Sequence, residues 1–226
     1  MVRHVHVKER ASGAPLGCYA PAPVPQPFLD LSRWDLPALA HAWQAARPFP
    51  HVVIDGLVRD ERRADLLDAF GEEPCSLLHD EIFEFEASAI ELEHPLLRAF
   101  RDELGGPAAR DALLTVTGKR LGRIEMRGYG YREGHYLLPH SDHQHGVDRA
   151  LAYAYYLDTP FPVSGGELEL FDCDLNDGEV TAAHPARVIP PLPNRIVLFD
   201  VGDVSLHQVR EVLEGMRLSL AGWFYP

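Results

Sequence analysis

The sequence predicts an α+β protein in which helices come first and a β-sandwich or β-barrel follows. Two observations carry this prediction. In the first half of the chain, three stretches repeat apolar residues at the spacing of one helix face. After residue 120, short segments alternate apolar and polar residues or are rich in β-branched and aromatic residues, and Gly, Pro, Asn or Asp separates them. The 226 residues fit one domain with a substantial core.

Three helices are predicted from their end signals as well as from their apolar faces. Asp35 can cap LPALAHAWQAAR, and Pro48 ends that run. The second stretch, DERRADLLDAFG, stops at Gly71, a residue type that commonly follows a helix. The third, PLLRAFRDELGG, begins at Pro95, which suits a first helical turn, and meets two glycines at its end.

The strand predictions come from segments in which apolar residues alternate with polar ones and no longer follow helical spacing. The segments are HVVI and EIFEFE before residue 120, and RIEMRGYGY, LAYAYYL, GELELF, NRIVLF and RLSLAGWFY after it. Helices followed by many short strands favour an α+β fold with a sandwich or barrel as its main body. The stretch GAPLGCYAPAPVPQP is rich in proline instead. We therefore expect residues 1–30 to form an extended arm and residues 31–226 to form a single domain.

Charge and cysteine usage disfavour several classes of partner and location. Acidic residues outnumber Lys and Arg by 34 to 21, and the formal charge of −13 repels nucleic acids and anionic membrane surfaces. No apolar run approaches the roughly 20 residues that span a bilayer, and residues 1–15 lack the apolar core of a secretory signal. The three cysteines lie far apart and predict no disulfide framework, so a cytoplasmic location is expected.

The stretch LLPHSDHQHG contains a candidate metal site. If it is a strand, His140 and Asp142 point to the same face. Two ligands hold an open metal site poorly, and His207 in DVSLHQVREV is the best candidate for the third. Two imidazoles and one carboxylate are typical of non-haem Fe(II) oxygenases, but a zinc hydrolase can use the same ligands. His143 and His145 are expected at the mouth of the site and not as ligands.

A second candidate site follows His207 along the chain. Arg217 lies ten residues after it, and Ser219 shares the face of Arg217 if this segment is a strand. A guanidinium with a neighbouring hydroxyl suits a carboxylate held by two parallel hydrogen bonds. A buried arginine also needs a partner charge, which a dicarboxylate cosubstrate would supply.

Three stretches together resemble the Fe(II)- and 2-oxoglutarate-dependent dioxygenases of the prolyl-4-hydroxylase type. They are YREGHYLLPHSD, GGELELF and PLPNRIVLFDVGDVSLHQVREVLEGMRLSLAGWF, all within residues 121–226. The shared elements are a His-x-Asp, a distal His and a basic residue ten positions after that His. The resemblance implies a double-stranded β-helix, which is a jelly-roll or cupin-like barrel, with its catalytic core at residues 121–226 and N-terminal helices supporting it.

The resemblance also implies residue roles and cofactors. Three residues would hold iron and form the catalytic centre: His140, Asp142 and His207. Three others would bind the distal carboxylate of 2-oxoglutarate: Arg217, Tyr131 and Ser219. The implied cofactors are Fe(II), 2-oxoglutarate and O₂, with ascorbate as a candidate reductant. Animal and plant prolyl-4-hydroxylases carry lysine at the position of Arg217, a departure that weakens the prolyl assignment more than the cosubstrate assignment.

The implied activity is hydroxylation, or another oxidation, of an unactivated C–H bond with release of succinate and CO₂. Related halogenases replace the iron-binding carboxylate with a small residue, so Asp142 disfavours halogenation. The compact chain shows no appended peptide-binding module, which favours a small-molecule substrate such as an amino acid or a metabolite. The alternative is a peptide or protein substrate, proline in particular. A non-catalytic metal-binding barrel would not need Arg217, and a zinc hydrolase would need a general base that the sequence does not identify.

Overall fold

The computed structural model describes residues 26–159 and 161–226, which form one large antiparallel sheet with helices packed against it. The helices are α1 (Leu36–Ala45), α2 (Asp60–Glu72), α3 (Pro95–Leu104) and α4 (Pro107–Thr117). The strands are β1 (His51–Asp55), β2 (Cys75–Asp80), β3 (Phe83–Ser88), β4 (Arg127–Arg132), β5 (Tyr136–His140), β6 (Leu151–Tyr156), β7 (Ser164–Gly165), β8 (Leu168–Asn176), β9 (Glu179–Ile189), β10 (Arg195–Asp200), β11 (His207–Val209), β12 (Val212–Glu214) and β13 (Met216–Phe224).

The order of strands in the sheet differs widely from their order in the chain. Eleven strands pair in the order β1-β10-β6-β13-β4-β3-β5-β11-β8-β9, with β2 paired to β3, and every pairing is antiparallel. β7 and β12 form a separate two-stranded ribbon. The sheet curls around a cavity to which β3, β4, β5, β6, β8, β10, β11 and β13 contribute side chains. This is the double-stranded β-helix, and the predicted α+β fold class is confirmed.

Strand β6 shows how the two faces of the sheet are used. All six residues of LAYAYY are buried, as in a strand that is covered on both sides. Tyr153 and Tyr155 pack into the core that the sheet shares with the helices. The alternate side chains, among them Ala154 and Tyr156, pack inside the curled sheet with Val197 of β10. The helices therefore support the outer face, and the inner face is left to form the cavity.

The helix predictions are confirmed for three helices, and a fourth helix was missed. The carboxylate of Asp35 accepts a hydrogen bond from the Ala38 amide at the start of α1, as an N-cap does. Helix α2 continues to Glu72, one residue beyond the predicted stop at Gly71. The missed helix α4 buries Ala109, Ala112, Leu113 and Val116, which have helical spacing. Two of the four buried residues are alanines, which give a weak apolar pattern. The preceding Gly-Gly-Pro also resembles the end of a helix more than the start of one.

All seven predicted strand segments contain strands, and six further strands were not predicted. Of these, β7, β11 and β12 have two or three residues each, too few to show an alternating pattern. Strand β9 is exposed along almost its whole length, so it has no apolar face to recognise. Short and exposed strands were therefore missed, whereas strands that bury a face were found.

The predicted arm, residues 1–30, lies mostly outside the described residues, and its boundary stays a prediction. Its last residues are packed against the helices: Phe28 and Leu29 are buried, and their amides donate to the carboxylate of Glu103 at 3.0 and 2.9 Å. Across the described residues, no helix has both the length and the apolar composition needed to cross a membrane.

Candidate metal centre

His140 and His207 lie directly opposite each other on neighbouring strands. His140 ends β5, His207 begins β11, and the two residues form one cross-strand pair. Their ring centroids are 4.3 Å apart. Paired side chains on one face of a sheet are close by construction, so strand pairing brings together two histidines that are 67 positions apart in the chain.

Asp142 reaches the same point from a loop and not from a strand. The expectation that His140 and Asp142 share a strand face was wrong, because β5 ends at His140. The loop is fixed instead by its neighbours: the Ser141 hydroxyl donates to the carbonyl of Gly202 at 2.8 Å, and Arg149 donates to the carbonyl of Asp142 at 3.0 Å. These bonds hold the carboxylate of Asp142 toward the two imidazoles.

The three side chains present their ligand atoms to one another. The carboxylate oxygens of Asp142 lie 3.6 Å from Nε2 of His207 and 3.9 Å from Nε2 of His140. One ligand atom from each residue falls within 4.8 Å of the other two. We call His140, Asp142 and His207 the metal triad, because an ion between them could contact all three.

Backbone hydrogen bonds fix which nitrogen of each imidazole faces the triad. Nδ1 of His140 is 2.9 Å from the carbonyl oxygen of Leu138, and Nδ1 of His207 is 3.0 Å from that of Ser205. A carbonyl oxygen can only accept, so each Nδ1 carries the proton and each Nε2 has a free lone pair. Burial lowers the pKa of His207 to about 4, which keeps that imidazole neutral and able to bind a metal near pH 7.

The metal triad lines a cavity of about 380 Å³ inside the curled sheet. Apolar and aromatic side chains form much of its wall, among them Ile82, Phe83, Phe85 and Tyr129. Ile82 is also 47% exposed, so this wall continues to the mouth of the cavity. The arrangement is that of a ligand site: a mostly apolar concavity with a few polar groups at defined positions.

Arg217 enters the same cavity from β13 and has no acidic partner within the described part of the chain. It is 4% exposed, its Nε is buried without a hydrogen-bond partner, and no carboxylate in residues 26–159 or 161–226 lies within 4.0 Å of its guanidinium. Its guanidinium carbon lies 4.6 Å from the ring centroid of Tyr131, its cross-strand neighbour, and 5.0 Å from that of Tyr156. The aromatic faces offset part of the cost of burying this charge.

Two more polar groups beside Arg217 are buried without partners among the described residues. They are the hydroxyls of Ser219, which is fully buried, and Tyr156. Burial also raises the pKa of Tyr131, which keeps its phenol protonated and able to donate a hydrogen bond. We call Arg217, Ser219, Tyr131 and Tyr156 the anion corner. Buried donors left unpaired are costly, so this corner is suited to an anion that would pair with several of them at once.

The residues present fit the cofactors that the sequence implied. Two imidazoles that present Nε2 and one carboxylate are a donor set that suits Fe(II) and leaves coordination positions open. The guanidinium of Arg217, which no carboxylate of the described residues approaches within 4.0 Å, suits the far carboxylate of a diacid. The six predicted site residues all line this one cavity: His140, Asp142, His207, Arg217, Tyr131 and Ser219. Their proximity is a structural fact, whereas their individual roles stay predictions.

Other predicted positions lie outside the cavity or differ from expectation. His143 is exposed, with Nε2 3.3 Å from a carboxylate oxygen of Asp203, and His145 is exposed; neither belongs to the metal triad. Arg149 is half-buried and lies over the ring of Trp223 at 3.7 Å. Trp223 itself lines the cavity.

Tyr156 lies beside Arg217, and the sequence did not reveal it. It pairs with Ser219 across β6 and β13, and this places it beside Arg217. In the sequence it is one of three tyrosines in LAYAYYL. Side chains alternate between the two faces of a strand, so Tyr155 faces the helices and Tyr156 faces the inside of the sheet. The pairing of β6 with β13 would have been needed to choose between them.

Comparisons with known proteins agree with this geometry. Residues 126–225 match the family model described as the 2OG-Fe(II) oxygenase superfamily. The chain is 32% identical over 188 residues to the prolyl 3-hydroxylase OGFOD1 of Mus musculus, an alignment that covers 79% of this chain and 33% of that protein. The chain thus spans about a third of the length of the curated relatives it matches.

Two solved structures share the fold. One is a prolyl-4-hydroxylase of Pseudomonas putida, with a TM-score of 0.60, 21% identity and coverage of 84% of this chain and 98% of that one. The other is an oxidoreductase of the 2OG-Fe(II) oxygenase family from Burkholderia pseudomallei, with a TM-score of 0.66, 14% identity and coverage of 89% and 96%. At these identities the likeness establishes the fold of the chain and no more.

Proposed function

We propose that the chain, whose residues 126–225 match the 2OG-Fe(II) oxygenase superfamily, is an Fe(II)- and 2-oxoglutarate-dependent hydroxylase that acts on a prolyl-type residue of a peptide or protein. One observation carries the proposal. The metal triad and the buried Arg217, which has no acidic partner among the described residues, line the same cavity, so one small diacid could contact both.

The metal triad has the role of holding Fe(II). His140 and His207 supply Nε2, since Nδ1 of each is used by a backbone carbonyl, and Asp142 supplies a carboxylate oxygen. The carboxylate also offsets part of the ion's charge. His140 is the most exposed of the three, with 22% of its side chain accessible against 11% and 6%, so the triad faces solvent and substrate on that side.

The anion corner has the role of binding the distal carboxylate of 2-oxoglutarate. Arg217 supplies charge and a pair of donors, and the hydroxyls of Ser219 and Tyr131 supply further hydrogen bonds. The corner is almost fully shielded from water, which strengthens each of these interactions. Binding the diacid would pair the buried donors that are otherwise unsatisfied.

Bound Fe(II) and 2-oxoglutarate supply the oxidising chemistry of this superfamily: 2-oxoglutarate loses CO₂ and takes up one oxygen atom of O₂ to become succinate, while the other oxygen atom enters a C–H bond of the substrate. The protein's own contribution is positional. The triad and the anion corner fix the diacid at both ends, and the apolar wall holds the substrate and limits access of water.

Two observations support a peptide or protein substrate over the small molecule that the sequence alone favoured. The curated relative at 32% identity is named a prolyl 3-hydroxylase. The apolar wall also continues to the mouth of the cavity through Ile82, and exposed Leu138 follows it, with its amide hydrogen-bonded to the carbonyl of Ile82 at 2.8 Å. An apolar mouth can contact residues on either side of a reacting proline, which a free amino acid does not possess.

The test is an anaerobic addition of Fe(II) followed by O₂, 2-oxoglutarate and ascorbate, with a pool of proline-containing peptides in one arm and free amino acids in the other. We expect succinate to form together with a peptide that is one oxygen atom heavier, and Asp142→Ala to abolish both signals. Coupled oxidation in the amino-acid arm alone would exclude the peptide substrate. Turnover supported by Zn(II) without consumption of 2-oxoglutarate would exclude the oxygenase.

A further inference from the structure

Two consecutive glycines, Gly165 and Gly166, lie at the β7–β12 ribbon, and the second of them packs against Arg217. Gly165 belongs to the β7–β12 ribbon, and the amide of Gly166 donates to the carbonyl of Glu211 at 3.1 Å. Both have positive φ, +78° and +70°. A methyl group added at Gly166 would lie 3.0 Å from Cγ2 of Val212 and 3.2 Å from Cδ of Arg217. The backbone of Gly166 is therefore in close contact with the aliphatic stem that carries the guanidinium.

We propose that Gly166 is a positioning residue for Arg217, and that its missing side chain sets where the guanidinium stands in the anion corner. The guanidinium of Arg217 lies over the rings of Tyr131 and Tyr156, and the stem that carries it lies against Gly166. Arg217 has no acidic partner among the described residues, so packing and not an ion pair fixes its position. Any atom added at residue 166 pushes on the stem and displaces the head group.

The two glycines differ in what surrounds them, and this identifies the informative variant. A methyl group at Gly165 would lie 2.1 Å from the carbonyl oxygen of Glu211. That contact is with backbone, so Gly165→Ala would disrupt the ribbon as a whole. The neighbours of Gly166 are side-chain atoms that can yield by a few tenths of an ångström. Gly166→Ala thus shifts Arg217 while the ribbon remains in place.

Gly178 provides a matched control. It has φ +85° in the turn between β8 and β9, and a methyl group there would meet nothing within 4 Å. Alanine at either position carries the same kind of left-handed backbone strain. Only at position 166 does it also contact Arg217. A difference between the two variants in ligand binding therefore reports on the contact and not on the strain.

This inference rests on the proposed function. Binding measurements with two ligands distinguish a failure of the inference from a failure of the proposed function. The affinities of 2-oxoglutarate and oxalate are measured by calorimetry with Mn(II) in the metal site, since Mn(II) accepts the same nitrogen and oxygen ligands. Oxalate can chelate the ion but has no distal carboxylate to reach Arg217. If the wild-type protein binds neither ligand in the presence of Mn(II), the proposed function itself fails.

For Gly166→Ala we expect the affinity for 2-oxoglutarate to fall about tenfold or more, the size of losing one charge-assisted hydrogen bond. The affinity for oxalate should stay unchanged, and Gly178→Ala should bind both ligands as the wild type does. An unchanged affinity for 2-oxoglutarate in Gly166→Ala would overturn the inference, and so would an equal loss for both ligands. If Gly166→Ala does not fold, the double variant Gly166→Ala, Val212→Ala provides the same test, because it removes Cγ2 of Val212, the atom nearest to the added methyl group, and keeps the contact with Arg217.

Discussion

At the metal triad, both imidazoles are held by hydrogen bonds to backbone carbonyls, whereas in the anion corner Arg217 Nε and the hydroxyls of Ser219 and Tyr156 are buried with no partner among the described residues. The triad also faces solvent through His140, whereas the residues of the anion corner are buried. The triad is thus oriented before any ion arrives. The corner instead keeps its donors unpaired, and a bound anion would remove that cost.

This contrast predicts that substitutions in the metal triad and substitutions in the anion corner have different effects on binding and turnover. Loss of a triad residue should remove the metal and all turnover while the fold is kept. Loss of a residue in the anion corner should weaken one ligand selectively and can even stabilise the ligand-free protein. The four predictions below run from the largest effect to the smallest.

Asp142→Ala should abolish metal-dependent turnover. The variant removes the only carboxylate of the triad and leaves two imidazoles, which hold a divalent ion poorly. We expect succinate formation to fall by about a thousandfold or more, because the reaction depends on the metal. The melting temperature of the metal-free protein should stay within a few degrees of the wild type.

Asp203→Ala is the control for this variant, because its exposed carboxylate contacts His143 outside the triad. It should keep wild-type turnover. If Asp142→Ala retains metal-dependent succinate formation, the carboxylate is not a ligand and the triad assignment fails.

Arg217→Ala should raise the concentration of 2-oxoglutarate required by about 100-fold or more. Removing one partner of a buried charge pair typically costs about 3–5 kcal/mol, since the other charge is left without compensation. Metal affinity should change little, because Arg217 is not part of the triad. The measurement is turnover against 2-oxoglutarate concentration at saturating Fe(II), and an unchanged dependence would remove Arg217 from the site.

Ser219→Ala should have a smaller effect of the same kind. One hydroxyl contributes about 1 kcal/mol to the binding of an anion, which corresponds to about a fivefold rise in the 2-oxoglutarate concentration required. Ser76→Ala, an exposed serine on β2, is the control and should change nothing. A loss as large as that of Arg217→Ala would mean that the serine supports the packing of the corner and does not only donate to the anion.

Arg217→Met should raise the stability of the ligand-free protein. A buried charge without a partner is unfavourable, and replacing it with an apolar side chain of similar length removes that cost. A gain of about 1 kcal/mol would raise the melting temperature by roughly 2–4 °C for a chain of this size. Added 2-oxoglutarate should stabilise the wild type but not the variant. A lower melting temperature in Arg217→Met would show that the guanidinium is stabilised by its surroundings even without an anion.

The same contrast explains how much of the molecule the sequence could predict. The joint spacing of His140, Asp142, His207 and Arg217 identified four residues that line the cavity, because the combination is specific even though each residue type is common in the chain. Helices and strands with a buried face were also predicted, since burial imposes a period on the sequence.

What could not be predicted depends on pairing between distant segments. The register of β6 with β13 places Tyr156 and not Tyr155 beside Arg217, and no local pattern encodes that register. The position of Asp142 beyond the end of β5 is set by hydrogen bonds from Ser141 and Arg149, which involve residues outside any repeating pattern. Helix α4 was not predicted, because alanine is a weak marker of a buried helix face.

A crystal structure of the protein with Mn(II) and 2-oxoglutarate tests the central claim most directly, because it locates both ligands in the cavity at once. We expect an anomalous peak within about 2.3 Å of Nε2 of both histidines and of a carboxylate oxygen of Asp142. The distal carboxylate of the diacid should accept hydrogen bonds from Arg217. An ion bound away from the triad, or a diacid whose distal carboxylate turns away from Arg217, would contradict the account.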